Sequence, residues 1–208
     1  MSRKTKSEAE KTRIRIMASA LSLFVKKGYE HTTFTDIAAR LKLTKGAVYW
    51  HFDSKTALLM ALINEMQEKF QRLMKETMPK GGLTFLAVAD TMVACAERIV
   101  KDPKGAAFFM LMRTQIKWGS ETMAHTREEL LSKNTNGPYH TIIKAITNDI
   151  AAGKVRKDVN PVAIAAVSMA IWDGIVQSKI CNFLECDLVQ TIKRSYEAMW
   201  QSIAIKGK

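Results

Sequence analysis

The sequence has 208 residues, of which 47% are hydrophobic and 25% charged, a balance typical of a globular protein with a core. No apolar run approaches the ~20 residues of a membrane-spanning helix. No secretory apolar stretch follows the charged N-terminus, so we expect a cytoplasmic protein without a membrane partner. Lys and Arg outnumber Asp and Glu by 32 to 20, which gives a formal net charge of +12 and favours a polyanionic partner.

The positive charge is concentrated near the N-terminus. Residues 1–56 contain twelve basic and five acidic side chains, so this short stretch holds more than half of the excess positive charge. A basic N-terminal module is typical of proteins that bind nucleic acid. Residues 1–10 are expected to form a flexible basic arm, whose role is non-specific attraction to DNA.

The apolar residues recur at helical spacing along the whole chain, and alternating strand-like runs are missing, which predicts an all-α protein. The first helix is expected to bury Ile14, Met17, Leu21 and Phe24 and to end at Gly28. The remaining helices are predicted at about 35–41, 45–51, 55–78, 83–101, 104–117, 121–133, 139–152, 161–184 and 187–205.

The best internal seam is Pro79-Lys80-Gly81-Gly82, which breaks the long fourth helix. The chain is expected to divide into two domains before this seam, with the fourth helix joining the DNA module to the ligand bundle. Residues 11–56 form a three-helix DNA-binding domain with a helix-turn-helix. Residues 57–208 form a helical bundle for ligand binding and dimerisation.

The two short helices share an apolar corner. Ile37 and Ala38 face inward on the first of them, Leu43 fills the turn, and Val48 and Phe52 pack back from the second. Helices of two turns are not stable alone, so this corner must fix their crossing. A short second helix whose outer face is free to enter a major groove is the arrangement of a helix-turn-helix.

The outer face of the second short helix carries groups suited to DNA. Thr44 at the N-cap, with the free N–H groups of the helix start, suits a phosphate. Gly46 and Ala47 are small, so the backbone can approach the duplex closely. Lys55 begins the next helix and is expected to hold a phosphate together with that helix N-terminus. The other candidates for DNA contact on this face are Lys45, Tyr49, Trp50 and His51, with packing against the first helix as the alternative for Trp50.

The stretch from Thr32 to Lys55, TTFTDIAARLKLTKGAVYWHFDSK, closely resembles the DNA-binding domain of the tetracycline-repressor (TetR) family. The matching segments are TFTDIA, TKGAVYWHF and SKTAL. The segment GAVYWHF resembles the corresponding segment of the multidrug-efflux repressors of that family. The resemblance covers about residues 12–62. It implies a DNA-binding regulator that contacts DNA through Thr33, Thr44, Lys45, Tyr49, His51 and Lys55.

Lys42 departs from the family pattern, which usually has glycine in this turn. If the position needs a positive φ, lysine costs about 1 kcal/mol relative to glycine. The added charge can offset that cost by facing a phosphate.

Two helices near the C-terminus carry stripes that suggest a dimer. Along the helix from Pro161, small residues recur at spacings of three and four, and the last helix has an apolar side. The resemblance implies that helices 161–184 and 187–205 pair with their symmetry mates into a four-helix interface. The alternative is that both stripes are intramolecular core. The residues are Ala163, Ala166, Ala170, Gly174 and Ser178 on the first helix and Leu188, Ile192, Met199 and Ile203 on the second.

The C-terminal two-thirds has a soft interior, because twelve methionines are spread with aromatic residues over helices that should enclose one bundle. Methionine adapts its shape, which suits a pocket for a small apolar or amphipathic effector. An effector touching the fourth helix would shift the population away from the DNA-binding state. The candidate lining residues are Met66, Phe70, Met74, Met92, Phe109, Met112, Trp118, Tyr139, Trp172, Asp173 and Gln177.

The remaining chemistry-bearing residues favour no enzyme and no cofactor. The four histidines show no metal spacing, and no phosphate loop or nucleophile motif is present. Cys95, Cys181 and Cys186 are expected to be small hydrophobes in a reducing compartment, with a thiol sensor on Cys181 and Cys186 as the alternative. The preferred hypothesis is a dimeric, effector-released repressor of palindromic operator DNA that controls an efflux or detoxification gene. The alternatives are an activator, a regulator controlled by a protein, a helical enzyme and a structural interaction module.

Overall fold

The structure is a computed structural model that describes residues 6–77, 81–133, 137–183 and 185–205. All regular elements in these ranges are helical, apart from one isolated antiparallel bridge between Val155 and Ala204. The prediction of an all-α fold is confirmed. The helices are α1 (Lys6–Lys27), α2 (Phe34–Leu41), α3 (Lys45–His51), α4 (Lys55–Thr77), α5 (Phe85–Lys101), α6 (Pro103–Met110), α7 (Glu121–Lys133), α8 (Pro138–Ala151), α9 (Pro161–Ile180) and α10 (Leu188–Ile203).

Most predicted helix bounds agree with the structure to within two residues, with two exceptions. The helix predicted at 104–117 leaves the α-helical register and continues as a π-helical turn, Leu111–Gln115. The Ile116 N–H donates to the Leu111 carbonyl, and the Trp118 indole N–H donates to the Met112 carbonyl at 2.8 Å. The helix predicted to reach residue 184 ends at Ile180, where Asn182 takes a left-handed φ of +56°.

The chain divides into two compact units. The first unit contains Met1–Met66 and Ala107–Glu128, and the second contains Gln67–Ala106 and Glu129–Lys208. Pro79 and Lys80 of the predicted seam lie outside the described residues. The domain boundary at residue 56 stays a prediction.

In the first unit, the buried face of α1 differs from the prediction. Met17 and Phe24 are buried as expected, but Ile14 is 56% exposed and Ile16 is fully buried in its place. The buried positions also include Thr12, Ser19 and Ala20, so small and polar residues continue the face where the sequence shows no large apolar side chain. Counting only large apolar residues therefore rotates the predicted face of the helix away from the true one.

The N-terminal arm is shorter than predicted. Helix α1 begins at Lys6, so residues 6–10 of the expected arm are helical, and residues 1–5 lie outside the described residues. Glu8 lies in the first helical turn, where a carboxylate is favoured, and Glu10 pairs with Arg13 at 3.6 Å. These local contacts extend a helix that charge composition alone predicts to be disordered.

The second unit is a bundle in which α5 packs against α8, α9 and α10. The Phe85 ring stacks on Tyr196 at a centroid distance of 5.5 Å and on Trp200 at 6.4 Å. Met92 on α5 and Ile192 on α10 are fully buried in the same interior. These side chains form a continuous apolar core beneath the helices.

Polar contacts between distant parts of the chain fix the ends of the helices in this bundle. Asp149 on α8 is buried, and its Oδ2 accepts the backbone N–H of Phe85 at 2.7 Å. The neighbouring Asn148 donates to the Leu83 carbonyl, and the Trp172 indole donates to the Met92 carbonyl at 2.9 Å. A carboxylate at a helix start satisfies N–H groups that have no partner within the helix, so Asp149 anchors α5 to α8.

Candidate nucleic-acid interface

A reciprocal capping box starts α2. The Thr33 hydroxyl accepts the Asp36 N–H at 3.2 Å, while the Asp36 carboxylate accepts the Thr33 N–H at 2.8 Å. Lys27, at the end of α1, donates to the same carboxylate at 2.7 Å. The Thr33 hydroxyl also donates to this carboxylate, at 2.7 Å. The bonds from Lys27, from the Thr33 hydroxyl and from the Thr33 N–H hold the pKa of Asp36 well below its ordinary range. The side chain predicted to contact DNA at position 33 thus also fixes the start of its own helix.

The turn between α2 and α3 requires a left-handed residue, and Lys42 supplies it. Lys42 has φ 55° and ψ 40°, and its N–H donates to the carbonyls of Ala38 and Ala39. The Leu43 N–H also donates to the Ala38 carbonyl, at 2.9 Å, which completes the end of α2. The turn does have a positive φ at this position, so lysine is strained where the glycine usual in the family would not be.

Helix α3 is capped at its start and buried on one side only. The Thr44 hydroxyl accepts the Ala47 N–H at 3.1 Å, as an N-cap residue should. Val48 is fully buried, and Phe52 directly after the helix is 5% exposed. Ile37 and Ala38 on α2 are also buried, so the predicted apolar corner is present.

The opposite side of α3 projects outward. Tyr49 is 47% exposed and Trp50 is 73% exposed, while the Lys45 ammonium lies 5.6 Å from the Tyr49 ring centroid. The edge of the Tyr49 ring contacts the buried Phe34 at a centroid distance of 4.9 Å, which fixes the direction of the tyrosine. The half-buried His51 meets the Trp50 ring edge-on at 4.6 Å. Trp50 is therefore available at the surface.

Gly46 and Ala47 occupy the first turn of α3, and Gly46 is exposed. A Cβ at position 46 would meet only the Thr44 Oγ1, at 3.9 Å. Nothing inside the described part of the chain therefore requires glycine at this position. Its small size matters only to something that approaches from outside.

Lys55 differs from the other predicted contacts because its ammonium turns inward. Lys55 Nζ donates to the Tyr29 carbonyl at 2.7 Å and to the Glu30 carbonyl at 3.0 Å. It also lies 4.5 Å from the centroid of the Tyr29 ring. Burial is the main reason that the pKa of Lys55 is lowered. The sequence motif contains no signal for these bonds, because the acceptors are backbone carbonyls about 25 residues away.

The residues predicted to line an effector pocket fall in both units. In the second unit Phe70, Met74, Met92 and Trp172 are buried, and Tyr139, Asp173 and Gln177 are half-buried. In the first unit Phe109 is buried and carries Arg113 over its ring at 5.6 Å, whereas Met66, Met112 and Trp118 are half-buried. An effector site on these residues stays a prediction.

Two titrating groups show how apolar the interior of the second unit is. Burial raises the pKa of the Cys95 thiol to about 11. It also raises the pKa of the Tyr196 hydroxyl, to which the charge of Asp173 contributes. A Cys95 thiol in this environment is protonated and unreactive at neutral pH. Cys181 and Cys186 are free and half-buried, and a sensor on them stays a prediction. No metal-binding cluster occurs among the residues that the structure describes.

The small-residue stripe of α9 lies at the surface. Ala163, Ala166, Ala170 and Gly174 are exposed, Val162 and Val167 are each about half exposed, and a Cβ at Gly174 would meet nothing within 4 Å. Helix α9 is also long and apolar enough to cross a membrane, contrary to the sequence-based expectation, with 28% of the relevant window buried. One such helix is equally typical of a globular interior or interface. The exposed stripe is therefore an unpaired apolar face of this chain.

The prediction that the apolar stripe of α10 faces a partner is wrong. Leu188, Ile192 and Ile203 are buried and Met199 is half-buried, because α10 packs along α5 and α9 within the second unit. The exposed positions of α10 are mostly polar or charged, and they include Lys193, Arg194, Glu197 and Gln201. This stripe is intramolecular core, which was the stated alternative.

Comparison with known proteins agrees with the family resemblance described for the N-terminal residues. The family model described as bacterial regulatory proteins, tetR family, matches residues 16–62. That range contains the second half of α1, both helices of the helix-turn-helix and the start of α4.

Similarity also extends over the rest of the chain. The probable acrEF/envCD operon repressor of Escherichia coli (strain K12) is 26% identical over 193 residues, covering 90% of this chain and 84% of that protein. The crystal structure of NalD, the secondary repressor of the MexAB-OprM multidrug efflux pump in Pseudomonas aeruginosa, covers 97% of this chain and 100% of its own, with a TM-score of 0.75 and 19% identity.

A third similar structure contains a small molecule. SmeT, the repressor of the Stenotrophomonas maltophilia multidrug efflux pump SmeDEF, was solved as a complex with triclosan. That complex matches with a TM-score of 0.74 and 19% identity, covering 94% of this chain and 93% of its own. At such identity the two structures establish a shared fold.

Proposed function

The chain belongs to the TetR family of bacterial regulatory proteins, and from that premise we propose that it is a dimeric repressor that a small molecule releases from its operator. The observation that carries the proposal is the outer face of α3. Lys45, Tyr49 and Trp50 are exposed on a capped two-turn helix whose other side is buried at Val48. Such a helix fits the major groove, where cations and hydrogen-bonding side chains reach phosphates and base edges.

The proposed DNA surface combines base-reading groups with phosphate-binding groups. Lys45 and Tyr49 are close enough to present a cation and a hydroxyl to the same stretch of backbone. Gly46 and Ala47 let the start of α3 approach the duplex. Thr33, Thr44, Trp50 and His51 complete the surface, and Lys55 is treated separately below.

Dimerisation is proposed through the exposed stripe of α9, with the polar outer side of α10 at the rim. A single reading head makes too few contacts for tight specific binding, whereas a two-fold dimer reads two half-sites one helical turn apart. The exposed Ala163, Ala166, Ala170 and Gly174 support a close helix crossing, because their short side chains allow another backbone to approach. A cytoplasmic location is proposed with this function.

The effector is proposed to be a small apolar or amphipathic compound. The printed descriptions of the E. coli and P. aeruginosa relatives concern efflux operons and pumps, and SmeT was solved with triclosan. Met66, Phe70 and Met74 lie along α4, the next helix after α3 in the chain. An effector that prefers a position of α4 incompatible with both half-sites lowers DNA affinity by its difference in affinity for the two states.

The test is a fluorescence anisotropy titration on the DNA immediately upstream of the chain's own gene, across a salt series. We expect nanomolar, salt-sensitive binding at two half-sites, lost in Tyr49→Ala and Lys45→Ala. Lys75→Ala, an exposed substitution near the far end of α4, is the matched control and should bind as the unaltered chain does. Binding no stronger than to a random duplex would contradict the proposal.

A further inference from the structure

Lys55, the first residue of α4, holds the turn that follows α1. The Lys55 ammonium donates hydrogen bonds to the carbonyls of Tyr29 and Glu30, at 2.7 and 3.0 Å, and lies 4.5 Å from the centroid of the Tyr29 ring. These three residues, Tyr29, Glu30 and Lys55, form a clamp between the end of α1 and the start of α4.

The clamp is anchored in the core of the first unit. Tyr29 is 4% exposed, and its ring meets the fully buried Phe24 edge-on at 5.0 Å. Burial raises the pKa of the Tyr29 hydroxyl, which outweighs the opposing effect of its bond to Thr56. An ammonium held against buried groups is fixed in position, unlike an ordinary surface lysine with a mobile side chain.

The segment between the two sides of the clamp is the helix-turn-helix itself. The two lysine bonds join residues 26 and 25 positions apart, and the enclosed chain contains α2, its turn and α3. Helices of eight and seven residues depend on tertiary contacts for their orientation. The clamp holds the two ends of this segment close together. It therefore helps to fix the orientation of α3, together with the apolar corner.

We propose that Lys55 is a positioning residue for operator recognition. It holds α3 in place through the clamp and does not neutralise a DNA phosphate. The inference rests on the proposed function and assigns Lys55 a role different from that implied by the sequence motif. To reach a phosphate, the ammonium would have to give up both of these bonds. The Tyr29 carbonyl would then keep only the longer bond from the Thr32 N–H, at 3.3 Å. Operator recognition with the clamp intact avoids that loss.

The two roles predict different salt dependence. A cation that contacts DNA displaces counterions, so removing it lowers the slope of log Kd against log salt concentration by about 0.9 for each cation. A positioning lysine leaves that slope unchanged. Its loss instead weakens the operator complex selectively, because a misdirected α3 forfeits base contacts while non-specific attraction persists.

The experiment compares Lys55→Met with Lys45→Met and with the exposed Lys75→Met, using the upstream duplex and a random duplex of equal length. We expect Lys55→Met to lose about ten- to a hundredfold in affinity for the upstream duplex. Its affinity for the random duplex and its salt slope should match those of Lys75→Met. Lys45→Met should lower the slope. All titrations are run well below the thermal midpoint of each variant. Partial unfolding would still be recognised, because it weakens binding to the upstream and the random duplex by the same factor.

Reductive methylation of the unaltered chain provides a second measurement that needs no variant to fold. We expect the labelling rate of Lys55 to be the same with and without the upstream duplex, whereas Lys45 is labelled when free and shielded by DNA. Labelling of Lys55 that DNA suppresses, or a Lys55→Met slope as low as that of Lys45→Met, would overturn the positioning role. Failure of the unaltered chain to prefer the upstream duplex would instead overturn the proposed function, and the positioning role with it.

Discussion

The helical caps within the helix-turn-helix and the polar contacts within the second unit join residues at very different sequence separations. In the former, Thr33 bonds Asp36 and Thr44 bonds Ala47, three residues apart. In the latter, Asp149 bonds Phe85 across 64 residues, and the Trp172 indole reaches Met92 across 80. A structure built from local bonds leaves a compact signature in the sequence, whereas one built from distant bonds does not.

The two regions also present opposite outer surfaces. Helix α3 exposes a cation and aromatic side chains with polar atoms, which suits a hydrated, charged duplex. Helix α9 exposes alanine, valine and glycine, whose side chains offer no hydrogen bonds and gain free energy when another apolar surface covers them. The first surface is complete within one chain, and the second is completed by another copy in the proposed dimer.

The largest expected effect comes from breaking the α9 surface. Ala170→Arg places a long cation in the centre of the exposed stripe, so it should dissociate the dimer and reduce affinity for the upstream duplex by about a hundredfold or more. The added positive charge cannot itself weaken DNA binding, which makes the loss attributable to dissociation. Sedimentation velocity measures the oligomeric state, and anisotropy measures the affinity.

The matched control for this substitution is Ala152→Arg, at an exposed position directly after α8. This variant should remain dimeric and bind as the unaltered chain does. A dimer that persists in Ala170→Arg would contradict the proposed interface.

The next largest effect tests the distant bonds of the second unit. Asp149→Ala leaves the buried N–H of Phe85 without its acceptor, so the free energy of unfolding should fall by about 2–3 kcal/mol. Asp149→Asn keeps an oxygen acceptor but loses the charge at the helix start, and should cost about 1 kcal/mol. Urea unfolding followed by circular dichroism measures both. Equal losses in the two variants would mean that the Phe85 bond is not what Asp149 contributes.

The sequence was sufficient for the features that depend on neighbours within a few residues. The apolar corner and the N-cap at Thr44 were predicted, because each follows from residue type and spacing over one or two turns. For Lys42 the resemblance raised a positive φ only as a condition, because the family usually has glycine there. Helix bounds were predictable for the same reason, since caps and breakers act locally.

Features that depend on distant packing could not be predicted. The stripe on α10 looks the same whether it faces α5 or a second copy, since periodicity shows that a face is buried and not what covers it. The buried face of α1 was misplaced because Ile14 and Ile16 are equally apolar. Lys55 matches its family position, yet its bonds go to carbonyls that carry no side-chain signature.

The smallest expected effect concerns the local bonds of the helix-turn-helix. The pKa of Asp36 is lowered in the folded chain, first by Lys27 and then by Thr33. Its stabilising contribution is therefore present above the unfolded pKa of about 3.9 and is lost as the pH falls through that range. The Tm of the unaltered chain should fall more between pH 6 and pH 3 than the Tm of Asp36→Asn.

Lys27→Met is the partner variant for this measurement, because it removes the main cause of the lowered pKa and keeps the carboxylate. Its acid dependence should lie between those of the unaltered chain and Asp36→Asn. An identical pH dependence in all three proteins would show that Asp36 contributes nothing to the acid sensitivity.

Gly46 separates what the fold requires from what recognition requires. The fold has room for a Cβ at this position, and alanine is the better helix former by about 1 kcal/mol. Substitutions there change the shape offered to a binding partner without a stability penalty within the chain. Position 46 is therefore a site at which related regulators can diverge in the operators they read while keeping one scaffold, and at which new preferences can be selected in the laboratory without first stabilising the protein.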